Sequence, residues 1–163
     1  MIMERHRNEQ MVIFCKYLPE IDSLEKLCGR MGLSVAILRG GRVYKKLRPQ
    51  LQRDFQDGKF DVAIVQIRSG VGIDLYSSHI AIFYSTGHSS IDFQQSKARV
   101  YRRGQTQQVV YYYLVAKNSI DEDIQLALKQ KRSVSRSVLT RMQTRLKRKT
   151  HHGQTRKARR PRR

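Results

Sequence analysis

Gln95-Ser96-Lys97-Ala98-Arg99-Val100-Tyr101-Arg102-Arg103-Gly104-Gln105 joins a helix to a strand. Helical spacing runs from Ser89 to Arg103, Gly104 closes it, and the apolar run Gln108 to Val115 begins almost at once. Offsets of four and seven residues from Gln95 put Arg99 and Arg102 on one helix face. Two guanidiniums on one face, bracketed by Gln95 and Gln105, suit a polyphosphate. The competing reading is a solvated basic stripe on a surface helix.

Working outward, short β-branched runs recur at Met11 to Cys15, Ser34 to Leu38, Asp61 to Gln66 and His79 to Tyr84. With Gln108 to Val115 they read as strands. Helical patterns at Pro19 to Met31, Lys45 to Gln56 and Ser89 to Arg103 alternate with them. Several strands are apolar on both faces, so the expected fold is α/β, a largely parallel sheet covered by helices on both sides. A further helix starts at Ser119-Ile-Asp-Glu122, which has capping-box form. Its periodicity continues through Val134, Val138, Leu139 and Met142, and disorder is expected beyond about Thr150.

The 163 residues carry a net charge of +20. From Lys129 onward there are 15 Lys or Arg and no acid, so the tail holds +15 and the body about +5. The boundary is drawn there: a single domain over 1–128 and a basic tail over 129–163. Such a tail points to a polyanionic partner, with Lys147, Arg148 and Lys149 as candidate contacts. Few aromatics accompany these charges, which favours backbone contact over base readout. A solubilising extension is the alternative. No apolar run approaches the roughly 20 residues that span a bilayer, and the first ten residues are charged, so no membrane partner and a cytosolic location are expected. Cys15 and Cys28 read as buried thiols of a reducing compartment, and the five histidines have no metal-ligand spacing.

A second signal, Gln66-Ile-Arg68-Ser69-Gly70-Val-Gly72-Ile-Asp74-Leu75, follows the strand ending at Gln66. Carboxyl ends of parallel strands are where ligands bind. Gly70 and Gly72 permit close approach to a phosphate or sugar, and Asp74 is a candidate for a ribose hydroxyl. A strand-to-helix turn that needs glycine only for its dihedrals, with Asp74 as a cap, is the plainer reading.

Together these segments resemble the Swi/Snf-type translocases of the superfamily-two helicases. Gln95, Arg99, Arg102 and Gly104-Gln105 resemble motif VI, and Ser69-Gly70-Val-Gly72-Ile-Asp74-Leu75 resembles motif V. Val12 to Lys16 resembles the motif IV strand, and Leu38-Arg-Gly40 with the helix reaching Phe55 resembles the next strand, glycine and helix. The resemblance implies a single RecA-like domain, the C-terminal helicase lobe, with ATP and Mg2+ bound between it and another lobe. It implies Arg102 as the arginine finger, Arg99 as its companion and Gln95 as the residue orienting them. Gly72, Asp74 and Gln105 then contact the nucleotide, and Lys16, Arg39, Gly40, Ser69 and Gly70 the nucleic acid. DNA is the expected partner, with RNA left open.

The sequence departs from the family in having no G-x-x-x-x-G-K-[ST] phosphate loop, since Gly58-Lys59 is followed by Phe60. Asp121-Glu122-Asp123 lies where acids favour a helix start, not where an acidic pair closes a strand. The expectation is therefore half of an ATP-dependent helicase, phage- or bacterium-encoded, completed by a separate phosphate-loop lobe. A nucleic-acid-binding module that keeps the fold without the chemistry is the alternative, and a lobe that regulates another helicase is a third.

Overall fold

The computed structural model describes residues 2–69 and 72–129. In chain order these form α1 (Ile2–Arg5), β1 (Met11–Cys15), α2 (Leu18–Arg30), β2 (Val35–Leu38), α3 (Arg42–Gln56) and β3 (Val62–Gln66). Then come β4 (Ile80–Phe83), α4 (Ser90–Val100), β5 (Val110–Tyr113) and α5 (Ile120–Lys129). A single 3-10 turn, Ile67–Ser69, follows β3. The five strands make one sheet in the order β2-β3-β1-β4-β5, parallel throughout. All five apolar runs are strands, each within two residues of its expected ends.

Central β1 is buried at every position. Its Met11 lies level with Val62 on one side and Ile80 on the other, so alternate residues fall into two layers. Val12, Phe14, Val65 and Phe83 face the side of α3, α4 and α5, where Phe55, Phe93, Ile124 and Leu128 pack. Met11, Ile13, Cys15 and Ile64 face α2 and α1, against Ile21, Leu24, Cys28 and Met3. Burial, with the Glu20 charge adding to it, pushes the Cys15 thiol up to about 12, and burial pushes Cys28 up to about 11.

Several boundaries differ from the sequence reading. Helix α3 begins at Arg42, three residues early, with Gly41 ahead of it at φ 111° and Pro49 inside it. Only one helical hydrogen bond is lost to that proline, and the buried stripe through Leu51 and Phe55 holds the helix to the sheet. Helix α4 starts as expected, with Asp92 N–H donating to Ser89 Oγ at 3.1 Å. It stops at Val100, not Arg103, because Tyr101 leaves helical geometry at ψ 86°. At the head of α5, Ser119 Oγ accepts from Asp121 N–H, while Glu122 reaches back one residue further than a capping box requires, to Asn118 N–H. The expected continuation through Met142, the disorder beyond Thr150 and the basic tail lie outside the described residues.

Helix α1 was not anticipated. It leads into a small polar cluster beside β5: His6 Nδ1 lies 2.7 Å from Glu9 Oε1, His79 Nε2 lies 2.7 Å from Glu9 Oε2, and His6 Nε2 lies 2.8 Å from Tyr112 Oη. The hydrogen bond from His6, then the charges of His79 and His6, hold Glu9 below the usual glutamate range. A carboxylate depressed on folding adds stability above its unfolded pKa and loses it as pH falls through the folded one. Glu9→Gln should therefore lower Tm slightly near pH 7, and the difference from wild type should vanish in strong acid. Thermal melts across the acid range check this.

Phe83 is wholly buried, with ring centroids of Phe14, Phe93 and Tyr113 at 4.9, 5.0 and 5.2 Å. Phe83→Ala should cost about 3–5 kcal/mol in urea unfolding, with the m-value unchanged.

Candidate functional site

After β3 the chain turns at Ile67–Ser69 and then runs back along the α3/α4 face of the sheet before entering β4. Ile73 and Leu75 are both wholly buried, so Asp74 is fixed between two core anchors. Gly72 supplies the φ of +77° that this change of direction requires. One backbone hydrogen bond and two glutamine side chains clamp the returning segment. Leu75 N–H donates to Arg99 O at 2.9 Å. Gln56, at the end of α3, donates Nε2 to Asp74 O at 2.7 Å and accepts from Ser77 N–H at 3.0 Å. Gln105 donates Nε2 to Tyr76 O and Ser78 O at 2.9 and 2.8 Å.

The two sequence signals therefore meet. Arg99 is 6% exposed, and the Nε of its guanidinium is buried with no hydrogen-bond partner in the protein. Burial, then the like charges of Arg102 and Arg48, disfavour its ionised form, while Asp74 and Asp92 favour it. An arginine does not give up its proton in a protein, so the physical result is a buried cation short of negative charge. Arg102 is half exposed and ion-paired through Nη1 to Asp74 Oδ1. It does not reach this place by helical spacing from Gln95. Because α4 ends at Val100, the turn closed by Gln105 N–H to Arg102 O at 3.0 Å positions it. Gly104, at φ +105°, completes that turn against Tyr76, and a Cβ there would lie 3.2 Å from the ring.

Two expectations change in character. Gln105 was expected to contact nucleotide; its amide is committed instead to the backbone of the returning segment and to Gln107 N–H. Asp74 was expected to hold a ribose; its carboxylate holds Arg102. Gln95 is exposed on α4, one turn from buried Arg99.

The residues expected at nucleic acid collect at the carboxyl ends of β1, β2 and β3. Gly40 N–H and Ser69 Oγ both donate to Gln66 Oε1, at 3.0 and 2.8 Å. A Cβ on Gly40 would lie 2.7 Å from Ser69 Oγ, so only glycine permits that approach. Arg39 is ion-paired to Asp22 at 3.1 Å and stacked 4.2 Å from the Tyr44 ring centroid. Lys16 lines a cavity of about 260 Å3 with Arg68, His88, Ser89 and Asp92, beside the point where the chain's direction across the sheet reverses. Gly70, Lys147, Arg148 and Lys149 lie outside the described residues. Among the described residues no group of three or more His, Cys, Asp or Glu is placed to hold a metal, and no helix is long and apolar enough to cross a membrane.

Sequence reasoning passed over Gln56, Tyr76, Arg68 and His88. Their roles depend on contacts between distant elements, and no local spacing announces those.

A parallel α/β sheet of this order, with an arginine-bearing helix folded against the loop after its third strand, is a RecA-like domain. Residues 1–104 match the helicase conserved C-terminal domain, and the chain belongs to that family. Its relatives are Swi/Snf-type ATPases. They include the ATP-dependent helicase fft1 of Schizosaccharomyces pombe, 30% identical over 135 residues that make up 82% of this chain and 14% of that protein. Chromodomain-helicase-DNA-binding protein 1 of Gallus gallus is 30% identical over 158 residues, 95% of this chain and 9% of that protein. The crystal structure of the C-terminal part of the Fun30 ATPase domain superposes with a TM-score of 0.67 at 27% identity, covering 74% of this chain and 39% of the other. The chain thus corresponds to a small part of its relatives' length, their C-terminal helicase lobe.

Replacing Gln105 by Ala removes two hydrogen bonds, to Tyr76 O and to the partly buried Ser78 O, each worth about 0.5–1.5 kcal/mol. Gln105→Ala should lower stability by about 1–3 kcal/mol. Hydrogen exchange should show the loss concentrated in residues 74–80, not spread over the sheet.

Proposed function

We propose that this lobe completes an ATP-hydrolysing site of a DNA translocase by inserting Arg102 and Arg99 toward the phosphates of a nucleotide held on a phosphate-loop lobe, in the same or another polypeptide. The observation that carries the reading is Arg99. Arg99 is 6% exposed, its inner nitrogen is unpartnered, and two further arginines outweigh the carboxylates of Asp74 and Asp92 acting on it. A polyphosphate is an anion of the right charge and geometry.

In this reading Arg102 is the finger. It stabilises charge that spreads over the transferring phosphoryl oxygens, an effect worth on the order of 10³ to 10⁵ in rate. Its pairing with Asp74 keeps it ordered before the nucleotide arrives, and the phosphate then competes with that carboxylate. Gln95, exposed beside Arg99, meets the other lobe. The described residues offer Mg2+ no cluster of carboxylates, so the ion comes with the phosphates and takes its protein ligands from the phosphate-loop lobe. Gln105 and Gly72 serve the site by shaping the segment that carries Asp74.

The nucleic acid runs along the carboxyl ends of the strands, past Lys16, Arg39, Gly40 and Ser69. DNA is the proposed polymer, in line with the names of the relatives. Lys147, Arg148 and Lys149 add sequence-independent attraction, so affinity falls steeply with salt.

Reconstitution tests this. The chain alone should hydrolyse no ATP, and turnover stimulated by DNA should appear when a phosphate-loop lobe of the same family is added. In that mixture Arg102→Ala should reduce turnover by about 10³-fold or more, while DNA binding stays within about twofold, within the ordinary scatter of a surface change. Robust turnover by the single chain, or full turnover with Arg102→Ala, would contradict the reading. DNA binding with no turnover from any lobe added would favour a binding module that keeps only the fold.

A further inference from the structure

The buried stripe of α3 runs through Leu51 and Phe55 toward the sheet, and Arg48 stands on the same face one and two turns earlier. Nothing in the sequence singled it out. Its Nε is buried without a hydrogen-bond partner, as is that of Arg99. Its Nη2 makes one long contact, 3.4 Å to Arg39 O at the end of β2. Side chains on a helix lean toward its N-terminus. In α3 and α4, which both start at the carboxyl edge of the sheet, this brings the two guanidiniums toward one region, and Arg48 is among the chief like charges acting on Arg99.

The charges there do not balance. Among the described residues, Arg102 pairs with Asp74, and Arg68 lies 3.8 Å from Asp92. Arg48 and Arg99 are left without a carboxylate of their own. The inner nitrogens of both cations are shut away without partners, and Asp74 and Asp92, which favour the charge on Arg99, are already engaged with Arg102 and Arg68. Only an anion meeting their outer nitrogens removes both costs, and a tetrahedral oxyanion has enough oxygens to meet two planar forks at once.

We propose that Arg48 and Arg99 form a single phosphate-binding pair, so that Arg48 is a third arginine of the nucleotide site beside Arg99 and Arg102. This rests on the reading of Arg99 as a phosphate ligand and extends it to a residue from a different helix. It also gives that site a physical link to the nucleic-acid edge, since Arg48 touches the backbone of Arg39.

The test follows the side-chain Nε–H NMR signals of Arg48 and Arg99 in the full chain during titration with tripolyphosphate. These buried protons report the pocket and not the basic tail. Both signals should shift with one common Kd. Arg48→Ala should weaken the Kd read at Arg99 by about tenfold or more, the worth of one charge-assisted hydrogen bond. Arg48→Lys, which keeps the charge and loses the fork, should fall between that variant and wild type, and also serves if Arg48→Ala does not fold. An unchanged Kd at Arg99 in both variants would overturn the role of Arg48 and leave the reading of Arg99 intact. Titration of wild type that moves neither signal would overturn both together.

Discussion

The structure turns on the burial of one charge. Arg99 is tucked between α4 and the segment running back from β3, and its own carbonyl receives the Leu75 amide of that segment. A buried guanidinium costs several kcal/mol unless its surroundings are rigid and polar. Here the rigidity is supplied by Ile73 and Leu75 in the core and by Gln56 and Gln105 gripping the backbone from either side. The polar compensation is incomplete. In the proposed reading that shortfall is what draws an anion to Arg99.

The sheet divides the work. Its carboxyl edge gathers Lys16, Arg39, Gly40, Ser69 and the cavity under Ser89. The face beneath α3 and α4 gathers Arg48, Arg99, Arg102 and Asp74. The segment from the Ile67–Ser69 turn to Ser78 connects the two regions: the Ser69 hydroxyl donates to Gln66 Oε1 at one end and the Ser78 hydroxyl to Gln10 O at the other. If both proposed sites are occupied, a shift at one and a change of contact at the other act on the same few residues. Such a shared segment is the kind of physical connection that coupling between two sites requires.

How much of this was legible in the sequence depended on the range of the interaction. Strands were legible because a strand buried on both faces must be apolar at every position, as Met11 to Cys15 is. The start of α4 was legible because the Ser89 hydroxyl caps it locally. Its end was not. Spacing alone carries the helix to Arg103, whereas Gly104 packing on Tyr76 and Gln105 bonding Ser78 draw the chain out of it after Val100. The shared helix face expected for Arg99 and Arg102 is not formed, since α4 ends at Val100 and a turn sets Arg102. The ion pair of Asp74 with Arg102 was not legible, because the two residues lie in separate segments. Gln56 and Arg48 carried no signal, for a glutamine ending a helix and an arginine in a basic helix are ordinary until the opposing segment is in view.

The most direct measurement is chemical rescue of the proposed finger. Arg102→Ala, combined with a phosphate-loop lobe and DNA, would be assayed for ATP turnover with free guanidinium added at concentrations too low to unfold the protein. If Arg102 acts by placing a guanidinium at the transferring phosphate, turnover should rise with guanidinium and saturate, while wild type is unaffected and sodium at equal ionic strength does nothing. Turnover by Arg102→Ala equal to wild type without any addition would contradict the account.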